Sequence, residues 1–179
     1  MRRAGWLFVA FAACNTHPAN QPKRYDVGSA ATAQDIARVD ITVFPDGRGL
    51  PAGHGTARQG KPLFAALCAS CHGANGEGND DYPQLVGGRG TLGNKEPQLT
   101  VGSYWPYATT VWDYLHRAMP YVGPGALTVD QTYALTAFLL QRNGILSEDA
   151  VLDEHTLPAV VMPNRNGFVA DGRPDVSAR

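Results

Sequence analysis

Cys68-Ala69-Ser70-Cys71-His72 decides how this chain is read. Two cysteines three apart, followed at once by histidine, form the pattern of covalent c-type haem attachment. At a helix end this spacing presents both sulfurs to the two vinyl edges of one porphyrin. His72 then lies under the iron as the proximal ligand. Bare Cys-x-x-Cys also suits zinc or a thiol–disulfide couple. Zinc asks for about four ligands, usually from a second Cys or His pair, and none follows at similar spacing. A thioredoxin-like couple belongs after a strand in a βαβ pattern, which is absent here.

Upstream of the motif, Thr56-Ala57-Arg58-Gln59 has the form of a capping box. The helix it opens carries Leu63, Phe64, Leu67, Cys68 and Cys71 along one stripe. Pro62 is tolerated in the first turn. Gly60 shares a face with Phe64 and Leu67 and permits the close approach of a second helix.

Downstream, residues 73–104 form a long glycine-rich stretch. A loop of that length counts against a compact domain unless it has a task. Wrapping the edge and proximal side of a large cofactor is such a task. Within it, Arg89 is a candidate partner for a haem propionate, because a guanidinium binds carboxylate as a fork. A solvated loop charge is the plainer reading.

Tyr107 to Met119 reads as a second helix, with an apolar stripe through Ala108, Val111, Trp112, Leu115, Ala118 and Met119. Pro120 stops it. Thr128-Val129-Asp130-Gln131 is another capping box. It opens a third helix through Tyr133, Leu135, Phe138 and Leu139 that ends at Asn143-Gly144. An iron that moves electrons needs a second axial ligand. Met119, at a helix end before a Gly/Pro turn, is the first candidate, against the plain alternative of core packing. Met162 in the tail and His116 are the others, and a histidine on an outer helix face is the bland reading of His116.

The 179 residues suit one domain with extensions, and 44% hydrophobic content allows a core. Twenty glycines and thirteen prolines point to long irregular segments. The formal net charge of −1 excludes a strongly basic nucleic-acid-binding surface. Residues 1–13 read as an export signal, with Arg2 and Arg3 before a short apolar run that is too short to span a membrane. Phe11-Ala12-Ala13-Cys14 resembles a bacterial lipobox, which implies lipidation of Cys14. Ordinary cleavage nearby is the alternative. Loss of residues 1–13 leaves thirteen basic and sixteen acidic residues, a charge of −3. Export to the periplasm fits haem c, which bacteria attach outside the cytoplasm. The expected organisation is signal 1–13, tether 14–30, extended strap 31–54, haem domain 55–144 and extended tail 145–179. The strap holds a short helical turn near Thr32–Ile36, an extended Asp40–Phe44 and a turn at Pro45-Asp46-Gly47. It has too few apolar residues for a core of its own. In the tail, Leu157 to Phe168 is apolar enough to lie on the domain surface.

Gly60-x-x-x-Phe64, Cys68–His72, Pro83-x-Leu85, Met119-Pro120 and the helix around Ala134–Leu140 together resemble class I cytochromes c. The resemblance implies an all-α fold, a single class I domain with an N-terminal strap and a C-terminal tail. It further implies one covalent haem c, held through Cys68, Cys71, His72 and Met119. It also implies that the first and last helices cross at Gly60 and Phe64 against Tyr133 or Phe138, and that the Pro83 carbonyl accepts the His72 N–H. Tyr82 departs from the glycine common before that proline.

Over residues 30–175 the resemblance is narrower. Val101-Gly102-Ser103-Tyr104-Trp105-Pro106-Tyr107-Ala108-Thr109-Thr110, Arg117–Tyr121 and Thr156–Phe168 are similar to the cytochrome c subunit of bacterial sulfite and sulfur dehydrogenases, including the Sox thiosulfate-oxidising system. This implies a subunit without catalysis of its own. It would accept electrons from a molybdopterin sulfite or sulfur dehydrogenase and pass them to a downstream cytochrome c or oxidase. Membrane attachment would be only through Cys14. Some members carry a second haem domain, whereas this chain has one Cys-x-x-Cys-His. The alternatives are a general exported electron carrier for another dehydrogenase, a haem protein with an open distal position, and an adaptor lipoprotein with a Cys68–Cys71 disulfide.

Overall fold

The computed structural model describes Tyr25 and residues 27–173. The expected export signal, Cys14 and most of the expected tether lie outside the described residues. Contacts divide the chain into a unit ending at Arg38 and a larger one from Val39 onward. The first contributes most of helix α1, Ala33–Val39. There Thr32 and Asp35 bond reciprocally, side chain to backbone N–H, as a capping pair does.

The larger unit contains α2 (Ala57–Leu67), α3 (Ala69–His72), α4 (Ala108–Ala118) and α5 (Val129–Arg142), with two three-residue strands, β1 (His54–Thr56) and β2 (Val151–Asp153). Both capping boxes form. The Thr56 hydroxyl accepts from the Gln59 N–H and the Thr128 hydroxyl from the Gln131 N–H, while each glutamine reaches back. Each typically contributes about 1 kcal/mol.

Helices α2 and α5 cross at Gly60. A Cβ there would collide with the Ala134 carbonyl and lie 2.7 Å from the Phe138 Cβ. The Phe64 and Phe138 rings meet beside it at 5.0 Å. Such a pair is worth roughly 0.5–1.5 kcal/mol beyond its burial. Of the two aromatics expected at the crossing, Phe138 is there. Tyr133 lies one turn earlier against Trp112 of α4, at 5.4 Å, and its hydroxyl donates to the Pro51 carbonyl at 3.0 Å.

The tail adds a strand that the sequence reading lacked. β2 pairs antiparallel with β1, Gly55 opposite Leu152. Gly55 in turn lies on α5, where a Cβ would strike the Ala134 amide. Leu152, Leu157 and Met162 are at most 1% exposed and belong to the core. Within Leu157 to Phe168, Leu157 and Met162 are driven inward, while Ala159, Val161, Pro163 and Phe168 stay exposed. The strand pair escapes notice in the sequence because three residues are too few to set a period. In the strap, Asp40–Phe44 forms no strand, but the Pro45–Gly49 turn is present. No helix among the described residues is long and apolar enough to cross a membrane.

Candidate functional site

The motif sits on a break in a helix. Cys68 ends α2 with φ −121° and ψ −35°, and α3 starts again at once. The expected single stripe through Cys71 is thus two helical pieces. Across the break the backbone stays bonded: Cys68 N–H to Phe64 O at 2.9 Å, and His72 N–H to Cys68 O at 2.9 Å. Gly73 then turns the chain at φ +79°, where a side chain would be strained. The Gly78 N–H caps the His72 carbonyl at 2.7 Å.

His72 is oriented by the loop. Its Nδ1 lies 3.0 Å from the Pro83 carbonyl oxygen. A carbonyl only accepts, so Nδ1 carries the proton and the lone pair is left on Nε2. Such an outer bond fixes both tautomer and ring plane. Tyr82 stands edge-on to the imidazole at 6.3 Å. Its phenol pKa is raised, first by Cys71, then by burial and less by Asp81 and Tyr121.

The two cysteines form no disulfide. Burial pushes the Cys68 thiol up to about 11, with a smaller contribution from Cys71. A thiol–disulfide couple needs the opposite, a depressed thiol pKa. Among the described residues no group of three or more His, Cys, Asp or Glu side chains is placed to hold a metal ion. The zinc reading therefore lacks ligands. A c-type haem fits the donors present: two thiols, one imidazole with its outer nitrogen occupied, and a thioether on a separate helix end. Leu67, which ends α2 just before the motif, is 40% exposed.

Met119 is the C-cap of α4, its N–H bonded to Leu115 O at 3.2 Å, with extended backbone before Pro120. It is partly buried at the edge of the core. Met162, the other methionine among the described residues, is 1% exposed in the core. It also lines an open cleft of about 420 Å³ with Arg89, Gly144 and Ile145. His116 stacks on Trp112 at 4.7 Å. Arg89 is exposed, and its Nη2 donates to the Asn143 carbonyl at 3.2 Å.

Sequence reasoning read Asn143 only as a helix stop, yet it organises the loop. Its amide donates to Leu85 O and Leu139 O and accepts from the Gly87 N–H at 2.9 Å. Thr100 and Ser103, both buried, complete the support. The Thr100 hydroxyl donates to Gly87 O at 2.6 Å and the Ser103 hydroxyl to Gln98 O at 2.6 Å. These bonds fix the residues that follow Pro83. A Thr-x-x-Ser turn and a helix-terminal asparagine were the available signals.

Residues 57–143, from the start of α2 to the cap of α5, match the family model for cytochrome c. The chain is 46% identical to a chain in the crystal structure of the sulfane dehydrogenase SoxCD from Paracoccus pantotrophus, with TM-score 0.78, covering 87% of this chain and 76% of that one. The chain belongs to the cytochrome c family. Covalently bound haem c and electron transfer come with that membership. This cytochrome c is also 28% identical over 147 residues to the fructose dehydrogenase cytochrome subunit of Gluconobacter japonicus, covering 76% of this chain. It spans 27% of that curated relative's length.

Proposed function

We propose that this cytochrome is the single-haem electron-transfer subunit of a sulfite- or sulfur-oxidising molybdenum dehydrogenase in the bacterial periplasm. His72 and Met119 would be the axial ligands, and the thioether bonds would be made at Cys68 and Cys71. The observation that carries this reading is the bond from His72 Nδ1–H to the Pro83 carbonyl, which leaves Nε2 free for iron. When bound, haem c supplies reversible one-electron storage.

The chain's residues set the terms of that storage. The Pro83 carbonyl raises the basicity of His72 and holds its ring against rotation. The Met119 thioether is a neutral, soft donor that favours the ferrous state and a raised potential. Arg89 has four N–H groups besides the one given to Asn143, and these would serve a propionate. The two-electron oxidation of substrate stays in the partner subunit, and this chain passes electrons singly to a downstream cytochrome c or oxidase. Similarity to the sulfane dehydrogenase chain, over 87% of this one, supports the choice of partner. Export with lipidation of Cys14 completes the proposal, and mass spectrometry of the mature N-terminus tests it.

A pyridine haemochrome assay on denatured protein should give one covalently retained haem per chain. Mixing the oxidised cytochrome with its molybdenum dehydrogenase and sulfite or another sulfur compound should then reduce it. Absence of retained haem would overturn the haem reading. Failure of reduction with every sulfur compound, alongside rapid reduction by another dehydrogenase, would leave a general electron carrier.

A further inference from the structure

We propose that Asp113 and Arg117 are positioning residues for Met119, and that the strap at Ile41–Val43 splints the last turn of α4 through them. This rests on Met119 being the sixth ligand, as proposed above.

The arrangement is specific. Arg117 binds Asp113 as a fork, Nε to Oδ2 at 2.8 Å and Nη2 to Oδ1 at 2.7 Å. The pair then turns its remaining capacity on the strap. Arg117 Nη2 donates to the Ile41 carbonyl at 3.2 Å, and Asp113 Oδ1 accepts the Val43 N–H at 3.2 Å. One donor and one acceptor meet a C=O and an N–H two residues apart, as a neighbouring strand would. Among the described bonds these two strap groups have no backbone partner. The Val43 side chain, 6% exposed, pins the same segment into the core.

The position matters because helix ends fray. The Met119 N–H makes the last intrahelical bond of α4, and the backbone is extended beyond it. Arg117 stands two residues before Met119. The final turn is therefore held from inside by the Leu115 carbonyl and from outside by the strap. The side chains of the pair are 39% and 22% exposed, against 71% and 59% for Arg48–Asp46. A more shielded pair is less screened and transmits more constraint.

The test is displacement of the methionine from oxidised, haem-loaded protein by imidazole, followed by loss of the sulfur-to-iron charge-transfer band. Arg117→Gln should speed displacement about tenfold, and Asp113→Asn should act in the same direction. Arg117→Lys, which keeps the charge but not the fork, should restore part of the effect. Tyr133→Phe removes the strap's bond at Pro51 and serves as the control: it should lower the denaturation midpoint and leave the displacement rate unchanged. If Arg117→Gln lowers that midpoint at an unchanged displacement rate, or if Tyr133→Phe speeds displacement equally, the pair is merely structural and the proposal falls. Met119→Ala separates the two readings. If it keeps the band, the assignment of the sixth ligand fails first; if it loses the band, the Arg117 result judges the splint alone.

Discussion

The loop from Gly73 to Tyr104 and the tail from Ile145 to Phe168 are both largely irregular, and they are held in opposite ways. The loop is fixed by directional polar bonds: Thr100, Ser103 and Asn143 reach its backbone at 2.6–3.2 Å. Its own leucines at 92 and 99 remain exposed. The tail is fixed by burial of Leu152, Leu157 and Met162. The difference follows from what each must hold. The loop delivers one carbonyl, Pro83, to one ring nitrogen, and a hydrogen bond tolerates little error in distance or angle. The tail covers one side of the core, and covering requires area more than direction.

This contrast can be broken by substitution. The largest effect is expected in the tail: Leu157→Ala should lower unfolding free energy by about 2–5 kcal/mol. Its reduction potential should stay as in the parent protein, as judged by denaturant titration beside potentiometry. A shift in potential would show that the tail also sets the site. Next, Asn143→Ala should cost about 1–3 kcal/mol, because it strips a partner from the Gly87 N–H and the Leu85 carbonyl. Here the potential should rise, since a looser Pro83 makes His72 less basic and the ferric state less favoured. An unchanged potential would mean that the loop does not transmit to the ligand. The smallest effect concerns acid. The Asp153 carboxyl lies below its ordinary value, first because it accepts the Thr156 N–H, then from the Thr156 hydroxyl and the His155 N–H. A depressed folded-state pKa gives stability that is present above the unfolded value, near 4, and is lost as pH falls through the folded one. Asp153→Asn should flatten a slight drop in stability below about pH 4 and leave the neutral spectrum alone.

Much of the fold was legible because its signals are local. Two Thr-x-x-Gln boxes start the two helices that cross, Gly60 marks the crossing, and Pro120 closes the helix that ends in Met119. The bond from His72 to Pro83 was legible only through resemblance to a family, since eleven residues of loop carry no spacing rule. The tail was read only as an apolar stretch laid on the domain, because Leu157 and Met162 lie in a proline-rich run without helix or strand period, where the choice of buried side chains depends on tertiary contact alone. Asn143 was half read: helix chemistry explains a stop there, but its bonds to residues 85–87 depend on how the loop returns. Phe138 and Tyr133 were left as alternatives at the crossing, because five residues on α5 separate two aromatics on neighbouring faces and only packing decides between them.

The proposed electron-transfer site is a haem held between His72 and Met119. The charge-transfer band between methionine sulfur and ferric iron tests it most directly, together with carbon monoxide binding to the reduced protein. The parent protein should show the band and refuse carbon monoxide. Met119→Ala should lose the band and bind the gas, while Met162→Ala should keep the band and only lose stability. A parent protein that lacks the band and binds carbon monoxide stoichiometrically would rule out His72–Met119 ligation, and a Met119→Ala protein that keeps the band would rule out Met119 as the sixth ligand.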